Sequence, residues 1–148
     1  MTQITLCTTE DAPRLLPLVR RMHEERGLTT TDESRAAALS PLLEGSPLGA
    51  VWIFGPARAP VGYVIVTFGW SLESGGMDAT VDEIWVRPSV RRRGIASEAL
   101  YEIGRALKSA DVTMLRLVID SEDAASAALC RTAGLTPRAG ATILSRPL

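Results

Sequence analysis

Three arginines followed by Gly94, Ile95 and Ala96 stand where a strand-like run gives way to a helical pattern. The first N–H groups of a helix have no partner within it, and its aligned peptide dipoles add positive potential there. Gly94 and Ala96 carry little or no side chain, so a bulky anion can approach the main chain closely. Arg91, Arg92, Arg93, Gly94, Ile95, Ala96 and Ser97 therefore read as a phosphate or pyrophosphate cradle. A Walker-type loop is disfavoured because Ile95 stands where its lysine would be, and no G-x-G-x-x-G is present. The plain alternative is a solvated arginine run, yet cations at that helix end oppose the dipole and an anion would relieve them. Just upstream, the adjacent acids Asp82 and Glu83 lie within the strand-like run Thr80–Val86. A carboxylate there can accept a proton. Neighbours in a regular strand face opposite sides, so only one acid faces a given site unless a bulge intervenes. For either acid, a solvated or salt-bridged strand residue is the competing reading.

These residues need a strand–loop–helix frame, and the surrounding pattern supplies one. Ile4–Leu6 reads as a short strand. Thr8 and Asp11 then offer a capping-box start, and Leu15, Leu18, Val19 and Met22 repeat at helical spacing up to Gly27. A second helix opens at Thr31 or Asp32 and runs through Ala36–Leu39, with Pro41 kinking or ending it. Gly49–Phe54 and Val61–Phe68 form a hairpin across Gly55–Pro60. The polar stretch Ser71–Asp78 reads as a flexible connection into the strand that carries the acids. Ala96, Ala99, Leu100, Ile103 and Leu107 make a helical stripe in which Gly104 marks close packing on a sheet. Thr113–Ile119 has the pattern of a central strand covered on both faces. Asp123–Ala133 is a helix closed by Gly134, and Ala141–Leu144 is a last short strand. The order predicts one α/β domain over residues 1–148, a mixed central sheet with helices on both faces.

Composition narrows the partners. The chain of 148 residues is long enough for one sizeable core, and its net charge is −1. That balance argues against a nucleic-acid or membrane partner. Of its 16 cationic residues only Lys108 is a lysine. Arginine suits planar oxyanion contacts, although a GC-rich genome gives the same bias. Cys7 and Cys130 form no metal-binding cluster, so no metal and no disulfide is expected, and a cytoplasmic, reducing compartment fits. The first residues show no secretory pattern, and no apolar run reaches the ~20 residues of a membrane helix. His23, the single histidine, stands among Arg20, Arg21, Glu24 and Glu25 and reads as a surface residue.

The run Ile84-Trp85-Val86-Arg87-Pro88 followed by Arg91–Ala96 resembles the acyl-CoA signature of the GNAT N-acetyltransferase superfamily, Q/R-x-x-G-x-G/A. A second motif of that superfamily, N-x-x-A-x-x-L-Y-x-x-x-G-F, is met downstream by Asp123, Ser126, Leu129, Cys130, Gly134 and Leu135. The resemblance covers essentially the whole chain and implies the GNAT-like acyl-CoA N-acyltransferase fold. Asp82-Glu83-Ile84-Trp85-Val86 also looks like the strand of the spermidine/spermine-type branch. The resemblance implies acetyl-CoA as cosubstrate, its pantetheine along Ile84, Trp85 and Val86 and its pyrophosphate on the N–H groups of Arg92–Ser97. Val86 N–H would polarise the thioester carbonyl. Asp82 is the favoured base and Glu83 the close second. Cys130 stands where many members place a tyrosine that protonates the leaving thiolate. A thiol can do the same work, or Cys130 is a small core side chain and water returns the proton. Asp123 replaces the family asparagine, which keeps a helix cap but puts negative charge near the cofactor.

The expected activity is acetyl transfer from acetyl-CoA to a primary amine, on a small molecule or peptide. Asp32, Glu33, Glu73 and Asp78, in the loops Gly27–Asp32 and Ser71–Asp78, favour a cationic acceptor. The alternative is a non-catalytic acyl-CoA-binding or sensing module, motivated by the missing tyrosine. Nucleic-acid binding through Arg91–Arg93 is a distant third, with aromatic content of only 5%. Little chain follows Gly134 for a final hairpin, so a homodimer that completes the sheet is expected.

Overall fold

The computed structural model describes residues 2–119 and 123–148. Strands β1 (Ile4–Leu6), β2 (Gly49–Phe54), β3 (Gly62–Ser71), β4 (Gly76–Val86) and β5 (Met114–Leu117) form one sheet in the order β1-β2-β3-β4-β5. The first four pair antiparallel, and β5 joins parallel to β4 after the crossover helix α3 (Ile95–Ser109). Helices α1 (Ala12–Glu25) and α2 (Asp32–Leu43) separate β1 from β2, and α4 (Ala124–Thr132) follows β5. This is the α/β architecture expected from the pattern, a mixed sheet with helices on both faces.

Strand alternation sends the two sides of the sheet into two cores. Val51, Ile53, Tyr63 and Ile65 pack with Leu15, Leu18, Val19 and Met22 of α1 and Leu39 and Leu43 of α2. Phe54, Val64, Val66, Ala79 and Val81 pack with Ala99, Leu100, Ile103 and Leu107 of α3. Leu15 and Leu18 keep 0% and 1% of their exposure. Burying each such side chain stabilises the fold by roughly 1.5–3 kcal/mol, which is why both stripes were visible as periodicity. The helix starts follow the local chemistry: Thr8 N–H donates to Asp11 at 2.8 Å, and Thr31 Oγ accepts from Ser34 N–H at 3.1 Å.

Four expectations change. Pro41 does not end α2, which runs to Leu43; its missing N–H forfeits one bond, to the Ala37 carbonyl, and the helix continues past it. The Ser71–Asp78 stretch is no flexible connection: β3 and β4 pair through Ser71 and Gly76, leaving a tight turn that includes Gly75 with a φ of 83°. The run Thr113–Ile119 gives a strand of only 4 residues, Met114–Leu117, at the sheet edge, with Met114 exposed. Its apolar residues face α3 and α4 on one side, so near-continuous hydrophobicity overstated its burial. Ala141–Leu144 is not a strand but exposed, irregular chain, with Leu144 90% exposed and no neighbouring strand to pair with among the described residues.

Candidate active site

The centre of the site is an irregularity in β4. Ile65 pairs with Glu83, but the next residue, Val66, pairs with Val81, so Asp82 is an extra residue with no partner in β3. A bulge of this kind reverses the alternation beyond it. Ala79 and Val81 face the α3 core, whereas Glu83 and Trp85 turn to the α1–α2 side, where they meet His23, Tyr63 and Glu25. The pairing of β4 with β5 ends at the same point, Val81 opposite Leu117. From there to Val86 one edge of β4 has no strand partner among the described residues.

Main-chain direction along that edge follows from one bond. Arg87 N–H donates to the Val61 carbonyl at 2.7 Å, across the β3 side. Alternate residues of an antiparallel strand present their main chain to the same edge, so Trp85 serves β3 while Ile84 and Val86 face the open edge. Of the three residues expected along the pantetheine, Ile84 has both main-chain groups free there and Val86 its N–H, its carbonyl accepting from Arg91 Nε.

The cradle begins after Val86. A 3-10 turn at Pro88–Val90 leads into Arg92, at φ 64°, and Gly94, at φ 77°, which caps α3. Among the described residues, the N–H groups of residues 92–97 donate to no protein acceptor, and a Cβ on Gly94 would meet nothing within 4 Å. Arg92 and Arg93 are exposed. Arg91 is placed differently. Its Nε donates to the Val86 carbonyl at 2.8 Å and its Nη2 pairs with Glu25 at 2.8 Å. Trp85 Nε1 donates to the same Glu25 at 2.8 Å, and Arg21 lies 5.4 Å over the Trp85 ring. The indole bond and the Arg91 guanidinium hold the Glu25 carboxyl below its usual range. Arg91 thus fastens the end of β4 to α1.

The two acids are unlike. Glu83 accepts from Tyr63 Oη at 2.9 Å and contacts His23 Nε2 at 2.8 Å. Asp82 has no hydrogen bond or ion pair among the described residues and stays exposed. Partial burial of its carboxyl, and then the Glu83 charge, push Asp82 above the ordinary aspartate range, with Arg26 offsetting part of the shift. His23 is not a surface residue; only 9% exposed, it lies where the end of α1 crosses β4. Its charged neighbours in sequence sit on the outer face of α1, and the helical spacing from Val19 pointed the ring inward. Tyr63, fully buried, was also missed: it looked like an ordinary core position of β3.

The remaining candidates fall away from the bulge. Glu73 sits in the β3–β4 turn and pairs with Arg138, and Asp78 pairs with Arg116. Asp32 pairs with Arg35, whereas Glu33 is exposed. Asp123 caps α4 by accepting from Ser126 N–H at 3.1 Å, and Ser126 Oγ donates back to it at 2.6 Å. Cys130 is half-buried on α4, and burial raises its thiol.

Comparison with known proteins agrees with this fold. The chain resembles an integron cassette protein from the mobile metagenome of Cole Harbour Salt Marsh, at 26% identity and TM-score 0.86 over 99% of this chain and 90% of that one. It also resembles a possible acetyltransferase from Clostridium difficile 630, at 15% identity and TM-score 0.84 over 100% and 99% of the two chains. A third neighbour is AAC(6')-Iy in complex with the bisubstrate analogue CoA-S-monomethyl-acetylneamine, at 15% identity and TM-score 0.83 over 100% and 99%. No curated protein sequence matches the chain. The acetyltransferase (GNAT) family profile matches residues 14–135, and the chain belongs to that family of acyltransferases.

Proposed function

We propose that the protein transfers the acetyl group of acetyl-CoA to a primary amine, with Asp82 as the base. The observation that carries this reading is the coincidence of three features at one point of β4: the parting from β5, the bulge, and an unpartnered carboxylate. Acetyl-CoA supplies an activated acetyl thioester. The free main-chain groups of Ile84 suit its pantetheine amides, and the N–H of Val86, whose carbonyl is taken by Arg91, suits the thioester oxygen. The N–H groups of residues 92–97, with exposed Arg92 and Arg93, suit its pyrophosphate. The acceptor ammonium gives its proton to Asp82, and its nitrogen then bonds the acetyl carbon as the carbon–sulfur bond breaks. The new amide nitrogen sheds its second proton, which reaches the departing thiolate through water. A neighbour's complex with an acetylneamine analogue of CoA supports a small cationic amine as acceptor, and the exposed carboxyl of Asp82, with no hydrogen-bond partner among the described residues, suits one.

The reading extends to a homodimer in the cytoplasm. The outer edge of β5 has no strand partner among the described residues, and Ala141–Leu144 is exposed chain of strand-like composition. Two free cysteines fit a reducing compartment. Thiol release from acetyl-CoA across a panel of primary amines tests the activity. Turnover with at least one amine is expected, and CoA binding without turnover on any of them refutes it.

A further inference from the structure

His23 is the chain's single histidine, and it is gripped from both sides. Its Nε2 lies 2.8 Å and 3.1 Å from the two oxygens of Glu83. Its Nδ1 lies 2.7 Å from Thr30 Oγ1, in the loop between α1 and α2. Arg35 of α2 donates to that same hydroxyl at 2.9 Å and to the Thr30 carbonyl at 2.8 Å, and its other nitrogen pairs with Asp32. The Thr30 oxygen therefore already accepts from a guanidinium. Its own proton is free to go to Nδ1, which leaves the ring proton on Nε2, aimed at Glu83. Tyr63 Oη donates to the remaining side of the carboxylate at 2.9 Å. No buried side-chain polar atom is left without a partner among the described residues.

The chain of contacts runs from α2 through the α1–α2 loop and α1 to the bulge. The acid next to Asp82 is thereby fully engaged, while Asp82 itself is not. We propose that His23 is a positioning residue that pins Glu83 against Tyr63, couples the α1–α2 loop to the β4 bulge, and so leaves Asp82 as the one carboxylate free to accept a proton. This rests on the reading of Asp82 as the base. Without the imidazole, Glu83 keeps a single donor, and the two adjacent carboxylates compete for the same position and the same proton. A misplaced base costs on the order of a hundredfold or less in rate when the binding surfaces are intact.

The single histidine makes a direct test simple. Protein labelled with nitrogen-15 and free of any histidine tag gives one imidazole spin system, whose two nitrogen shifts report the tautomer. The Nε2–H form, protected from solvent, is expected, and Thr30→Val should disturb it. An Nδ1–H ring, or a freely exchanging one, overturns the proposal whatever the activity. Kinetics with the best amine of the panel form the second arm. His23→Leu should lower kcat about ten- to a hundredfold with the acetyl-CoA KM unchanged, and His23→Gln, which restores a donor to Glu83, should recover kcat to within about threefold. Wild-type kcat in His23→Leu, or a parallel rise in acetyl-CoA KM, refutes it. Should His23→Leu fail to fold, the Gln and Thr30→Val variants decide. Full activity in Asp82→Asn overturns the base assignment instead, and the tautomer still reads the His23 contacts on their own.

Discussion

Gly94 separates two contributions that most substitutions would mix. It sits at φ 77° at the head of α3, and a Cβ there would meet no atom within 4 Å. Gly94→Ala therefore carries backbone strain and no clash, a cost of about 1–2 kcal/mol for an L-residue in the left-handed region. For a domain of this size that is a fall of roughly 2–8 °C in Tm. Gly94→Glu carries the same strain and adds a carboxylate where a pyrophosphate would meet the N–H groups of residues 92–97. At about 6 Å from one phosphate charge, an effective dielectric near 20 gives roughly 3 kcal/mol of repulsion. Screening at physiological salt leaves about half of that, roughly tenfold in affinity. The assay is a pair of measurements on each variant: thermal melting, and calorimetric binding of CoA set beside dephospho-CoA and pantetheine. Both variants should melt alike. CoA binding should weaken about tenfold more in Gly94→Glu than in Gly94→Ala, whereas pantetheine, lacking the pyrophosphate, should not distinguish them. Equal CoA affinity in the two variants would refute the cradle, however much both had lost in stability.

Two further expectations concern titration and thiols. Because Asp82 is raised above the ordinary aspartate range, the unfolded chain releases that proton at lower pH than the folded one; stability from this group falls as pH climbs between the two values. Asp82→Asn should then melt no lower than wild type at neutral pH while losing at least a hundredfold in kcat/KM and the acidic limb of its profile; an active Asn variant, or one that melts well below wild type, contradicts this. Burial pushes the Cys7 thiol up to about 12, so a thiol reagent at neutral pH should modify Cys130 alone in the folded protein and both cysteines only in denaturant; fast labelling of Cys7 in the folded protein would count against the packing of β1 on β2 and α1.

Most of this architecture was legible because it rests on periodicity. The helical stripes of α1 and α3 and the hairpin of β2 and β3 each repeat a local rule, and each formed. What was misread depends on neighbours that periodicity does not name. Thr113–Ile119 looked central because it is nearly continuously apolar, broken only by Arg116, yet strand order made it an edge. Ala141–Leu144 has strand composition and no strand beside it. His23 was assigned by the charges around it in sequence, although its own helical phase, four residues from Val19, already pointed inward.

The candidate site shows the same limit more sharply. Asp82 and Glu83 are equivalent in sequence, and alternation alone would send one to each face of the sheet. In that regular strand Glu83 would follow Ala79 and Val81 into the α3 core, an unpaired carboxylate among Val66, Leu100 and Ile103, which costs several kcal/mol. The bulge removes that cost by reversing the alternation, and it places Glu83 where His23 and Tyr63 can satisfy it. It also takes β4 out of register at the residue where β5 leaves it, which frees the main chain of Ile84 and the N–H of Val86. One extra residue therefore settles which acid is bound and which is free, and opens the strand edge beside them. The long-range partners that stabilise it, in α1, in β3 and in the loop before α2, lie outside any window in which the pair Asp82-Glu83 can be read.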